Sequence, residues 1–163
     1  MRLILMSFGL VFTGVLSTGF FLLAQEGPNR SLTAPTYYIS VESRLENETL
    51  VRFHGLSNLP AGSVITITVR DFHGEGWDFY SDEMHSSVND KGQFDGKLAP
   101  QQGKTFRRNF ILVADFMPYH PDQPSSVLKI VGKKGEFLGG PENPQRFQVS
   151  GWMYGLEAIA RTL

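Results

Sequence analysis

Ser63-Val64-Ile65-Thr66-Ile67-Thr68-Val69-Arg70 is the stretch that decides the fold class. Every residue from Val64 to Val69 is β-branched, and such side chains lose freedom in a helix and pack well on a pleated surface. The period of two puts Ile65, Ile67 and Val69 on one face. Val64, Thr66, Thr68 and Arg70 form the other, wetter face. This is the pattern of a half-buried strand with one side against a core. Upstream, Leu56-Ser57-Asn58-Leu59-Pro60-Ala61-Gly62 reads as a tight connection. Pro60 fixes its own φ, Gly62 accepts a left-handed conformation, and Leu59 is the expected plug. Before it, residues 49–55 form a second strand, with Val51 and Phe53 opposite Leu50, Arg52 and His54. Tyr37, Ile39 and Val41 share a face of an earlier strand, and charged residues 42–48 read as a turn.

Downstream, Asn89-Asp90-Lys91-Gly92 is a turn and 93–98 a strand, closed by Pro100 and Gly103. Residues 104–117 make a second strong run. Phe106, Arg108, Phe110, Leu112 and Ala114 alternate with Arg107, Asn109, Ile111 and Val113. Pro118 and Pro121 stop it, because proline cannot donate to a ladder. Pro124 opens a predicted helix over 124–131, with Val127, Leu128 and Val131 on its apolar face and Gly132 as its C-cap. A strand is the competing reading there. Glycines and prolines make 135–144 a loop, and a final strand starts at Arg146 and runs toward Ile159. The expected fold is therefore mainly β: an antiparallel β-sandwich of about seven strands with one short helix before the last strand. An eight-stranded barrel is the structural alternative. Phe53, Ile65, Ile67, Val69, Phe110 and Leu112 are expected in the core.

The chain has 163 residues, 41% of them apolar, a formal charge of −1 and no cysteine. That is enough apolar material for a core and too much for a disordered chain. The missing cysteines exclude disulfides, thiolate zinc sites and iron–sulfur clusters. Near-neutral charge gives no reason to expect nucleic acid. Residues 3–24 carry no charge after Arg2 and end at Leu22-Leu23-Ala24, as a secretory signal peptide does. The same stretch is long enough to remain as an uncleaved membrane anchor. The expected organisation is a leader over 1–24, a linker over 25–35 and one β-sandwich domain over 36–163. Either reading of the leader places that domain outside the cytoplasm, in a periplasmic or extracellular setting. An exported domain without cysteines points toward a bacterial source.

Several pieces then carry a resemblance: Thr49-Leu50-Val51 leading into 56–63, the strand 64–69, Gly92-Gln93-Phe94, and the 123–132 segment before the last strand. Over 36–160 the chain resembles small exported bacterial domains of immunoglobulin-like, fibronectin type III-like or transthyretin-like type. The resemblance implies an adhesive, carrier or scaffolding module and supplies no catalytic residue. The Cys-Trp-Cys framework of disulfide-bonded immunoglobulin domains is missing here.

The chemically loaded stretch is 71–85. His73, Glu75 and His85 are weak candidates for a zinc site with one open position, and Asp71, Asp78 and Asp82 for calcium. Neither spacing matches a known metal loop. Trp77, Tyr80 and Asp78 are candidate ligand or partner contacts, because aromatic faces ringed by acceptors suit a sugar, a peptide or a protein. Asp78 and Glu83 are a glycosidase pair only by elimination. Ser126-Val127-Leu128-Lys129 has the serine–lysine spacing without the other acylase motifs. His54 in a strand and His120 between two prolines suggest no chemistry alone. The sequence thus leads to a non-catalytic extracytoplasmic module for binding or scaffolding. It is expected not to be an enzyme and to need no cofactor. A carbohydrate-binding module and a metal-assisted hydrolase using the 71–85 loop are the alternatives.

Overall fold

The computed structural model describes residues 36–73, 76–79, 81–106, 110–151 and 153–161, with side chains described for all of these except 71–73 and 76–79. The expected leader and linker, 1–24 and 25–35, lie outside the described residues. Among the described residues no helix is long and apolar enough to cross a membrane.

Three strands form one antiparallel sheet, in the order β1 (Ile39–Asn47), β2 (Leu50–Ser57), β6 (Gln93–Leu98). The second sheet runs β4 (Gly76–Phe79), β3 (Val64–His73), β7 (Ile111–Phe116), β9 (Met153–Arg161), β8 (Arg146–Ser150), and β5 (Met84–Ser87) pairs with β3 beside β4. Every pairing is antiparallel. One apolar core is shared by the two sheets. Ile39, Val51, Phe53, Phe94 and Leu98 enter it from the first, and Ile65, Ile67, Val69, Leu112, Ala114, Phe116 and Leu156 from the second. This is a β-sandwich, and all six expected core residues are buried.

β1 continues through the charged residues read as a turn. Glu42, Arg44 and Glu46 are exposed, while Val41, Ser43 and Leu45 are half-buried, so the charges occupy the outer positions of a regular strand. The real turn is Glu48-Thr49, where the Asn47 carboxamide oxygen accepts from the Thr49 N–H and hydroxyl at 2.9 and 2.8 Å. Trp77 to Tyr80 is expected as a short strand, and β4 occupies Gly76–Phe79. Among the described residues the strand count is nine rather than about seven because β5 forms its own ladder on β3 and the expected last strand is two, β8 and β9. The run at 104–117 is strand only over β7 among the described residues. Phe106 and Phe110 are buried outside the ladder, their rings 5.6 Å apart. The last strand is a hairpin, since Gly151 turns at φ +54° between β8 and β9.

The short helix α1 (Ser125–Val131) buries Val127 and Val131 and ends at Gly132, whose φ is +85° and whose N–H bonds to Leu128 C=O. Three side-chain amides tie irregular segments to backbone distant in sequence or to each other, two of them at strands. Gln145 accepts from Ile39 N–H at 2.8 Å and donates to Ile39 C=O at 2.5 Å. Asn143 donates to Tyr37 C=O and Leu138 C=O. Gln123 accepts from Val64 N–H and donates to Val64 C=O, as Gln145 does at Ile39. Ile67, fully buried in the middle of β3, tests the core. Ile67→Ala is expected to lower stability by about 2–4 kcal/mol in urea unfolding. A loss under about 0.5 kcal/mol contradicts the packing.

Candidate metal centre

β7 ends at Phe116, and two successive turns carry the chain to α1. His120 N–H bonds to Met117 C=O at 3.0 Å, and Gln123 N–H to His120 C=O at 3.1 Å. Gln123 is buried and anchors the segment. Its oxygen accepts from Val64 N–H at 3.0 Å, and its Nε2 donates to Val64 C=O at 2.7 Å and Met117 C=O at 3.2 Å. The loop is thereby held against the start of β3, whose other neighbour at that end is β5.

In β5, Met84 packs against the core, so His85 faces the opposite way by the strand period. His85 is paired with Thr66 of β3. The anchored loop brings His120 and Asp122 to it. The rings of His85 and His120 meet edge to face, with centroids 4.4 Å apart. His85 Nδ1 lies 3.6 Å from Asp122 Oδ2. Asp122 N–H donates to His120 Nδ1 at 3.2 Å and holds that ring. One ligand atom from each of the three residues falls within 4.8 Å of the others. Ligands about a tetrahedral zinc with bonds near 2.1 Å stand roughly 3.4 Å apart, so closing the separations by up to about 1.4 Å would gather them on one ion. The side chains of His85 and Asp122 are 38% and 66% exposed, so an ion would have a path in from solvent.

The same outer face carries a second ionisable group. Thr66 stands between His85 of β5 and Asp115 of β7, and Asp115 in turn opposes Glu157 of β9. Asp115 is buried and Arg70 Nη2 lies 3.3 Å from its Oδ2, yet its Oδ1 is enclosed without a hydrogen-bond partner. Burial pushes the Asp115 carboxyl from 3.8 up to about 6, outweighing the pull of Arg70, and Glu157 and Glu83 add to the rise. Tyr119 is also pushed up, first by burial and then by Asp115.

The folded state holds the Asp115 proton more tightly than the unfolded chain does. Stability from this group is full below about pH 4 and is lost as pH rises through about 6. The loss is on the order of 2–3 kcal/mol. Urea midpoints at pH 4.5 and 7.5 are expected to show Asp115→Asn gaining on the parent protein at the higher pH. An equal gap at both values refutes the shift.

Of the residues singled out by sequence, His85 alone is placed in this cluster. His73 ends β3, and Trp77 and Asp78 stand in β4 opposite Phe72 and Asp71. Their side chains, and all of Glu75 and Tyr80, lie outside the described residues. His120, dismissed as a loop residue, and Asp122 were missed. A gap of 35 positions separates His85 from His120, and no local spacing joins them.

The expectation that the protein is not an enzyme is corrected by this cluster. Two imidazoles and a carboxylate within 4.8 Å of one another are a plausible metal site with room for a further ligand. The β-sandwich suits an interaction module, and the triad equally permits a metal-binding or catalytic role. No family model matches the chain, and neither does any curated protein or solved structure.

Proposed function

We propose that this is an extracytoplasmic β-sandwich domain that binds a divalent transition-metal ion, zinc in the first place, through His85, His120 and Asp122. The observation that carries the reading is the convergence of three ligand atoms from two separate segments, one of them pinned by the buried Gln123 amide. Imidazole with carboxylate is a donor set for zinc, copper and nickel, and it fits calcium poorly. Three protein ligands with an open position are also the pattern of hydrolytic rather than structural zinc. An ion held there supplies a Lewis acid for a carbonyl or phosphoryl oxygen. His85 and His120 orient it, and Asp122 offsets part of its charge. Export is part of the proposal and rests on the uncharged run over residues 3–24.

Zinc titration of the tag-free protein by calorimetry, with metal analysis after dialysis, tests the reading. One zinc per chain is expected. His85→Ala/His120→Ala is expected to weaken binding at least about a hundredfold, with the metal-free unfolding midpoint unchanged because His85 is exposed and His120 half-buried. Unchanged zinc affinity in the double variant refutes the site.

A further inference from the structure

The opposite end of the second sheet carries another constellation. β8 is its edge strand, and among the described residues β8 pairs only with β9. In β8, Arg146 and Gln148 point to one side and stand opposite Leu156 and Tyr154 of β9. With Pro141 from the preceding loop, Arg146, Gln148 and Tyr154 line a groove of about 300 Å³.

Arg146 is immobilised in it. Its Cζ sits 3.6 Å above the centre of the Tyr154 ring. Its Nε is enclosed and has no hydrogen-bond partner, so only the terminal amino groups remain to meet a ligand. Among the described residues no carboxylate pairs with this guanidinium. The Gln148 Nε2 donates to Gly151 C=O, which leaves the carboxamide oxygen as an acceptor beside the charge. Tyr154 N–H bonds to Lys134 C=O at 2.8 Å, which sets the Lys133-Lys134 turn next to the groove.

A guanidinium edge held in one orientation recognises a carboxylate through two parallel hydrogen bonds, and its rigidity lowers the entropy cost of doing so. An acceptor alongside asks for an N–H close to that carboxylate. An edge strand presents unpaired backbone N–H and C=O groups to an added strand, and on β8 this begins after the Arg146 N–H, which already bonds to Asn143 C=O at 3.1 Å. A peptide C-terminus meets all three conditions. We propose that the Arg146–Gln148–Tyr154 groove binds the free C-terminal carboxylate of an extended peptide that pairs with the β8 edge. This site is independent of the metal centre.

Fluorescence anisotropy at low salt tests it, using a labelled pentapeptide of alternating Thr and Val with a free C-terminus. The free acid is expected to bind at least about tenfold more tightly than the same peptide ending in an amide. Arg146→Gln is expected to abolish that difference, while His85→Ala/His120→Ala keeps it. Equal binding of acid and amide to the parent protein overturns the proposal, and so does no binding of either at about 1 mM, a threshold set by the weakest useful affinity. That comparison needs no variant and is unaffected by any folding defect. Displacement of the peptide by glucuronate at lower concentration than by the unlabelled peptide also overturns it, in favour of an acidic sugar.

Discussion

Phe94→Ala is expected to lower the unfolding free energy by about 3–5 kcal/mol. The ring is buried in β6 directly opposite Gly55 of β2, while Phe53 of β2 stands opposite Gly96 of β6. Each phenyl ring therefore lies over the glycine of the other strand, and the two rings meet at 6.5 Å. A β-carbon at Gly55 would overlap the Phe94 ring, and one at Gly96 would press on Phe53 and Met84. The glycines are the space that the rings occupy, so truncating Phe94 leaves bare backbone and a cavity. Gly55→Ala alone is expected to cost about 1–3 kcal/mol by overpacking. Combined with Phe94→Ala it should cost less than the sum, because the added methyl then fills vacated volume. Denaturant unfolding of the four proteins measures the coupling. Strict additivity shows that ring and glycine do not share the space.

Gln123→Leu is expected to remove about 2–4 kcal/mol and to weaken zinc binding at least about tenfold. The substitution keeps the bulk of the side chain and deletes its polar end. Val64 N–H, Val64 C=O and Met117 C=O then lose a partner, Val64 in a buried setting. The same change frees the loop that brings His120 and Asp122 to His85. Calorimetric zinc titration beside thermal unfolding separates the two effects. Full zinc affinity in a destabilised Gln123→Leu protein shows that the loop needs no anchor to form the site.

The strands were legible where one chemical signal dominated. Residues 64–69 are β-branched throughout, and β3 runs through them. The alternation at 49–55 identified Val51 and Phe53 as inward, and both are buried. Gly62 and Gly92 mark turns because their φ angles, +86° and +73°, favour glycine. β1 was cut short because charge concealed its alternation. The outer face of β3 was read as wet, yet Val64, Thr66 and Thr68 are buried. Strand period reports which residues share a face and is silent on what later covers it.

What the sequence determined by itself is the β-rich class, the inward faces of the central strands and the short helix with its glycine cap. These depend on neighbours within a few positions, where backbone sterics and side-chain period act directly. Only the tertiary structure decided the His85–His120–Asp122 cluster, the raised Asp115 carboxyl and the Arg146 groove. His85 meets His120 because β5 and the loop after β7 both lie against the start of β3, and an amide from Gln123 holds the loop there. Asp115 is shifted by burial under a sheet face that its own neighbours in sequence do not specify. Arg146 is held by Tyr154 of the adjoining strand. Each of these depends on desolvation or on contacts between segments, and both arise only when the strands close on their core.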